Sequence, residues 1–170
     1  KFQTNKEDKN NIIKSFEKVV LEIHHHLYDN KKASFEINVK KPEKYSQRTF
    51  VSFDMETDDS GSARTEHEKV LIFDLSLLFC EETRKRHIGT IIHDGGFEGV
   101  NEETKFQILN WLYEQQNKDK DFQYIVTINR DSFESLEKNK KFDFDLNTFV
   151  RANYTKTSRF LKQQYTQEKK

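Results

Sequence analysis

Asp94 closes the apolar run Thr90-Ile91-Ile92-His93, and that position gives its carboxylate a chemical opportunity. The carboxyl end of a buried strand is where open α/β sheets bind ligands. The same residue could simply cap the next helix. A second carboxylate, Glu98, follows shortly, and with a histidine the pair would suit a hydrolase using Mg²⁺ or Mn²⁺. Ser60-Gly61-Ser62 precedes a helix-patterned segment. A hydroxyl and free backbone N–H groups at a helix N-terminus form a phosphate site. The alternative is a plain cap, with Ser62 and Glu66 serving it. Asn101 stands before another helical segment as a natural N-cap, and Asn129 ends the run Gln123-Tyr124-Ile125-Val126-Thr127-Ile128. No G-x-x-x-x-G-K-[ST] loop occurs, so the chain by itself should neither bind ATP tightly nor hydrolyse it.

The elements that must position these residues are readable from periodicity. Ile13, Phe16, Val20, Ile23 and Leu27 alternate spacings of three and four, predicting a helix over Asn10 to Tyr28. It is either a short coiled-coil seam or a helix packed on a core. Phe35, Ile37 and Val39 alternate in one predicted strand, 34–39, and Val51, Phe53 and Met55 in another, 49–55. The link over 40–47, with Pro42, reads as a hairpin loop. The segment Arg64 to Glu82 is apolar around most of its circumference, predicting a buried helix. Strands follow at Ile88–His93 and Phe122–Ile128, separated by a helix over Glu102 to Gln116. Strand, loop, helix, strand is the repeating unit of a parallel sheet. Asp131 could cap a short helix through Leu136. Phe142, Phe144 and Leu146 alternate, and 149–165 has a helical pattern.

Composition narrows the function classes. The chain of 170 residues fits one domain, expected over 10–165, with a frayed or truncated start at 1–9 and a disordered tail at 166–170. Lys1 is not methionine, which suggests a fragment of something longer. Charged residues make up 34% but cancel to +0, so no whole-chain attraction to nucleic acid or anionic membrane follows. The single cysteine, Cys80, excludes an internal disulfide and a Cys-based zinc site and points to a reducing, cytoplasmic setting. No apolar run approaches the roughly 20 residues of a membrane span. His24-His25-His26 lies mid-helix, where neighbours diverge, so it makes a poor metal centre. Lys40-Lys41, Arg84-Lys85-Arg86 and Lys138 to Lys141 are either solvated faces or a track for DNA phosphates.

In this order of elements the chain resembles the C-terminal half of an ABC-type ATPase head of the SMC and RecN class. It looks closest to a bacterial SMC-like group whose C-terminal region is a domain of unknown function. The motifs that carry the resemblance are the Ser-Gly loop, Phe73-Asp74-Leu75, His93-Asp94, Gly99-Val100 and Gln123 to Asn129. It implies an α/β lobe with a central, mostly parallel sheet flanked by helices, entered by a helix from a coiled coil. It also implies ATP and Mg²⁺ as cofactors, used only together with the N-terminal lobe of the same protein. A second head as homodimer partner is implied too, with DNA as a further partner and no membrane. Ser60, Gly61 and Ser62 then stand at the signature loop that grips the γ-phosphate of the opposing head. Asp94 stands at the Walker B aspartate that holds Mg²⁺, Asn101 ends the D-loop, and Asn129 replaces the switch histidine. The usual catalytic Glu after the Walker B Asp is here Gly95, with Glu98 as the nearest substitute. Asp59 and Ser62 also depart from the usual Leu-Ser-Gly-Gly-Gln/Glu signature. Two other readings remain beside this one: the metal-dependent hydrolase using Asp94 and Glu98, and a non-catalytic interaction module.

Overall fold

The computed structural model describes residues 6–28, 32–39, 51–57, 63–118 and 121–155. Along residues 1–140 the order is α1 (Lys6–Tyr28), β1 (Ala33–Val39), β2 (Val51–Thr57), α2 (Ala63–Phe79), α3 (Glu81–Arg84), β3 (Thr90–His93), α4 (Glu102–Asn117), β4 (Gln123–Val126) and α5 (Arg130–Asn139). The stretch from 141 onward is a separate unit, described as far as 155. There a 3₁₀ turn, Leu146–Phe149, is capped by the Asp145 side chain, which accepts from the Asn147 N–H. The helix expected over 149–165 does not begin at Phe149, because residues 150–155 are not helical; 156–165 lie outside the described residues.

α1 buries the face its spacing predicts. Phe16, Val20, Ile23 and Leu27 are all buried, against α2, β1 and α4. Its described part is therefore a helix packed on a core. β1 and β2 pair antiparallel with Phe35 opposite Met55 and Ile37 opposite Phe53. The 40–47 link lies outside the described residues. Aromatic rings fasten this hairpin to the helices, Phe35 to Phe16 at 5.9 Å and Phe53 to Phe73 at 4.7 Å between centroids, and Phe16 of α1 meets Phe73 of α2 at 5.4 Å. Phenylalanine thus does much of the work that a larger set of aliphatic residues would do.

The Arg64–Glu82 helix is corrected in two respects. It breaks at Cys80, whose backbone is extended (φ −70°, ψ 125°), leaving a separate short α3. Thr83 stabilises the break by donating its hydroxyl proton to the carbonyls of Leu77 (2.7 Å) and Cys80 (3.1 Å). Burial is also less even than the apolar sequence implied. Leu71, Ile72, Leu75 and Leu78 are inside, but Val70 is 59% exposed. Leu75 has no exposed surface. Leu75→Ala should cost about 3 kcal/mol, the transfer term plus an unfilled cavity. Urea unfolding should show a lower midpoint with an unchanged slope; an unshifted midpoint would mean that α2 is not central to the core.

The inner strands are present but shorter than predicted. β3 and β4 pair in parallel with Ile91 beside Tyr124, Ile92 beside Ile125 and His93 beside Val126. Among the described residues the strands make two two-stranded sheets, one antiparallel and one parallel, rather than a single central sheet. One face of the parallel pair, carrying Ile91 and His93, is buried. The other leaves Ile92 65% and Ile125 42% exposed. Parallel strands are normally covered on both faces, so this apolar surface is unusual for an isolated pair.

Candidate functional site

The carboxyl end of β3 brings together two of the residues singled out above, Asp94 and Glu98. The parallel ladder extends one step past β3, with the Thr127 N–H donating to the His93 carbonyl at 3.1 Å. That step sets Thr127 beside Asp94. The Thr127 hydroxyl donates to Asp94 Oδ1 at 2.8 Å and accepts from the Gly95 N–H at 2.8 Å. One threonine therefore pins both the carboxylate and the turn that follows it. Asp94 is exposed, and among the described residues its other carboxylate oxygen has no hydrogen-bond partner.

The two glycines of the turn have different reasons. Gly95 has φ +68°, where a side chain would cost about 1–2 kcal/mol. This is a physical reason why no Glu stands there. A Cβ on Gly96 would lie 2.6 Å from His93 Cβ, so the turn rests directly on the His93 side chain. The chain then folds back, with the Glu98 N–H donating to the Gly95 carbonyl at 2.9 Å. That turn brings Glu98 over Gly95: a Cβ at residue 95 would sit 3.6 Å from Glu98 Oε1. The space a residue-95 side chain would enter is bordered by a carboxyl group supplied three positions later.

His93 itself is turned inward. It is 9% exposed, and both ring nitrogens are engaged, Nε2 with Asp74 Oδ2 at 2.9 Å and Nδ1 with the Tyr124 hydroxyl at 2.8 Å. Burial, with Asp74 adding to it, pushes the Tyr124 phenol well above its usual range. Neither partner of His93 was evident from sequence. The signal available was alternation, which puts Tyr124 and His93 on one sheet face; nothing local points to Asp74.

Asn101 caps α4, its side chain accepting from the Thr104 N–H at 2.6 Å. For α5 the expectation is corrected: Asn129, not Asp131, is the cap, accepting from the Ser132 N–H at 2.8 Å. Its oxygen is committed to that bond, leaving the amide nitrogen to donate elsewhere. α4 and α5 are held together by buried Lys105, which donates to the Ser132 hydroxyl at 2.8 Å, and by an ion pair between Glu103 and Lys140. The Lys140 hydrogen bond keeps the Glu103 carboxyl below its ordinary value. Ser60, Gly61 and Ser62 lie outside the described residues, while Glu66, weighed as a capping residue, pairs with Lys69 at 2.9 Å.

The remaining expectations are local. His24 is buried against Tyr28 while His25 and His26 are exposed, so the three histidines do not converge. Among the described residues no group of three His, Cys, Asp or Glu is placed to hold a metal ion, and no helix is long and apolar enough to cross a membrane. Lys85 of the basic stretch pairs with Glu81 and Glu82, as expected of a solvated face; Lys40 and Lys41 lie outside the described residues.

Comparison with known proteins adds a family and a fold. The family described as "Uncharacterised protein conserved in bacteria (DUF2326)" matches residues 23–165. No curated protein matches the chain. Among solved structures, one described as "Structural biochemistry of ATP-driven dimerization and DNA stimulated activation of SMC ATPases" is similar with a TM-score of 0.52. The identity is 11%, over 79% of each chain. At that identity the likeness is one of fold alone, that of a mixed α/β chain.

Proposed function

The chain belongs to the DUF2326 family of bacterial proteins, and from that premise we propose that it is the C-terminal lobe of an SMC/RecN-like ATPase head. The observation that carries the reading is the unit β3–turn–α4–β4, with Asp94 at the strand end and pinned by Thr127. The fold likeness to an SMC ATPase agrees with it. The uncovered apolar face of β3 and β4 agrees too, because a parallel pair needs further strands or helices over Ile92 and Ile125. The N-terminal lobe, carrying the phosphate-binding loop, would supply them.

In this reading each residue has a task. Asp94 would hold Mg²⁺, and Mg²⁺ favours a site of one or two carboxylates completed by phosphate oxygens and water, which fits an exposed carboxylate at a strand end. The bound ion would neutralise charge on the ATP phosphates. Ser60, Gly61 and Ser62 grip the γ-phosphate held by the opposing head. Asn101 shapes the D-loop at the start of α4, and the Asn129 amide donates to the γ-phosphate. Glu98, folded over Gly95, orients the attacking water in place of the Glu that position 95 lacks. ATP-driven dimerisation of two such heads would move the coiled coil that α1 continues. DNA is the target class suggested by the solved neighbour's description. The hydrolase alternative is less well supported, since both nitrogens of the nearest histidine, His93, already have partners.

The test is turnover by the full-length protein with ATP and Mg²⁺. Glu98→Gln should lower it about a hundredfold, the usual contribution of a positioned base, while ATP-driven association of heads persists. Unchanged turnover would remove Glu98 from the mechanism and favour an interaction module with slow basal hydrolysis. Failure of the unsubstituted protein to bind ATP would remove the ATPase reading.

A further inference from the structure

Lys105 is a buried cation in an unfavourable place. The residue is 8% exposed, and among the described residues its ammonium has no carboxylate partner. Its one hydrogen bond runs to a neutral group, the Ser132 hydroxyl at 2.8 Å. A lysine is seldom buried without a counter-charge, because taking an ammonium out of water is expensive. Neighbouring carboxylates serve other cations. Glu103 pairs with Lys140, Glu134 pairs with Arg130 at 2.6 Å, and exposed Asp131 adds to the attraction on Arg130.

The location sharpens the conflict. Lys105 stands in the first turn of α4, its N–H bonded to the Asn101 carbonyl at 3.0 Å. Ser132 stands in the first turn of α5, its N–H bonded to the Asn129 side chain at 2.8 Å. β3 and β4 run parallel, so the chain leaves both at the same end, and one of these helices follows each. The Lys105–Ser132 bond brings the two helix N-termini together. Each carries partial positive charge from N–H groups without intrahelical partners. A cation between two such ends is repelled by both, whereas an anion there is attracted by all three. The donors are in place as well. The ammonium has two protons left, the Ser132 hydroxyl accepts from Lys105 and so keeps its own proton to donate, and Asn129 keeps its amide N–H groups. The backbone N–H groups of Arg130 and Asp131 open α5 and have no acceptor within it. We infer that these groups form a binding site for a phosphate group, with Lys105 as its cation and the first turn of α5 as its backbone cradle. Donors without acceptors suit phosphate oxygens, which accept several charge-assisted bonds at once. The phosphate is either the γ-phosphate of ATP or free phosphate. The site itself does not depend on the ATPase reading.

The experiment is calorimetric titration of the full-length protein with inorganic phosphate at constant ionic strength, beside thermal unfolding with and without phosphate. Wild type should bind phosphate and gain Tm from it by mass action. Lys105→Met keeps the length of the side chain and removes the charge. It should bind at least about tenfold more weakly, the worth of a charged hydrogen bond. Without phosphate its Tm should equal or exceed that of wild type, because an apolar side chain replaces an unpaired buried charge. Wild type that binds no phosphate, or Lys105→Met that binds it undiminished, would overturn the site. So would a Tm lowered in Lys105→Met without phosphate, which would make the ammonium a structural donor to Ser132. If Lys105→Met does not fold, Ser132→Ala decides. It keeps the cation and removes one donor, so binding should weaken about fivefold, and undiminished binding would overturn the site. Displacement of phosphate by a non-hydrolysable ATP analogue, but not by ADP, assigns the site to the γ-phosphate; displacement by neither assigns it to free phosphate. A protein that binds phosphate but no ATP would lose the ATPase reading and keep this site.

Discussion

Asp94→Asn is expected to reduce Mg²⁺-dependent ATP turnover of the full-length protein by about three orders of magnitude, the worth of several kcal/mol of cation stabilisation. The fold should not suffer. Asp94 is exposed, and an asparagine oxygen can still accept the Thr127 hydroxyl proton that now reaches Oδ1 at 2.8 Å. The stability change should stay within about 0.5 kcal/mol, as for other surface substitutions. The loss is therefore chemical: a neutral amide is a poor ligand for a hard cation. Titrating Mg²⁺ at saturating ATP would reveal it as a demand for much higher cation concentrations in the variant. Turnover and Mg²⁺ dependence equal to wild type would reduce Asp94 to a residue that shapes the turn.

The parts of the fold set by local pattern were legible in the sequence. The three-four spacing of Phe16, Val20, Ile23 and Leu27 gives α1, and the alternation in β1 and β2 gives the two strands and their faces, though not the register in which Phe35 meets Met55. β3 and β4 stand out as apolar runs ended by polar residues, and the strand-end position of Asp94 follows from them. Asn101 as a cap is equally local.

What escaped the sequence depends on distant partners or on choices between equals. The run through Leu77, Leu78 and Phe79 continues apolar up to Cys80 without glycine or proline, so nothing signals the break that Thr83 stabilises. Asn129 and Asp131 are both good caps two residues apart. Only the structure, with the Ser132 N–H on Asn129, decides between them. The partners of His93 lie 19 and 31 positions away, beyond any local rule. Gly95 reads in sequence as the loss of a catalytic carboxylate. Its positive φ and the return of Glu98 above it turn that loss into a specific geometric question.

In the proposed role this chain lends Ser60, Gly61 and Ser62 to ATP held by another head, and Ser60→Arg challenges that role without touching the nucleotide site of its own head. An arginine there puts bulk where the opposing γ-phosphate must sit, while each head keeps its own nucleotide site. The measurement is light scattering of the full-length protein with ATP and Mg²⁺, wild type against variant, beside calorimetry of nucleotide binding to single heads. Wild type should double in mass on adding ATP, whereas Ser60→Arg should bind nucleotide yet stay monomeric. A variant that dimerises as readily as wild type would make the loop a helix cap alone and contradict the composite site.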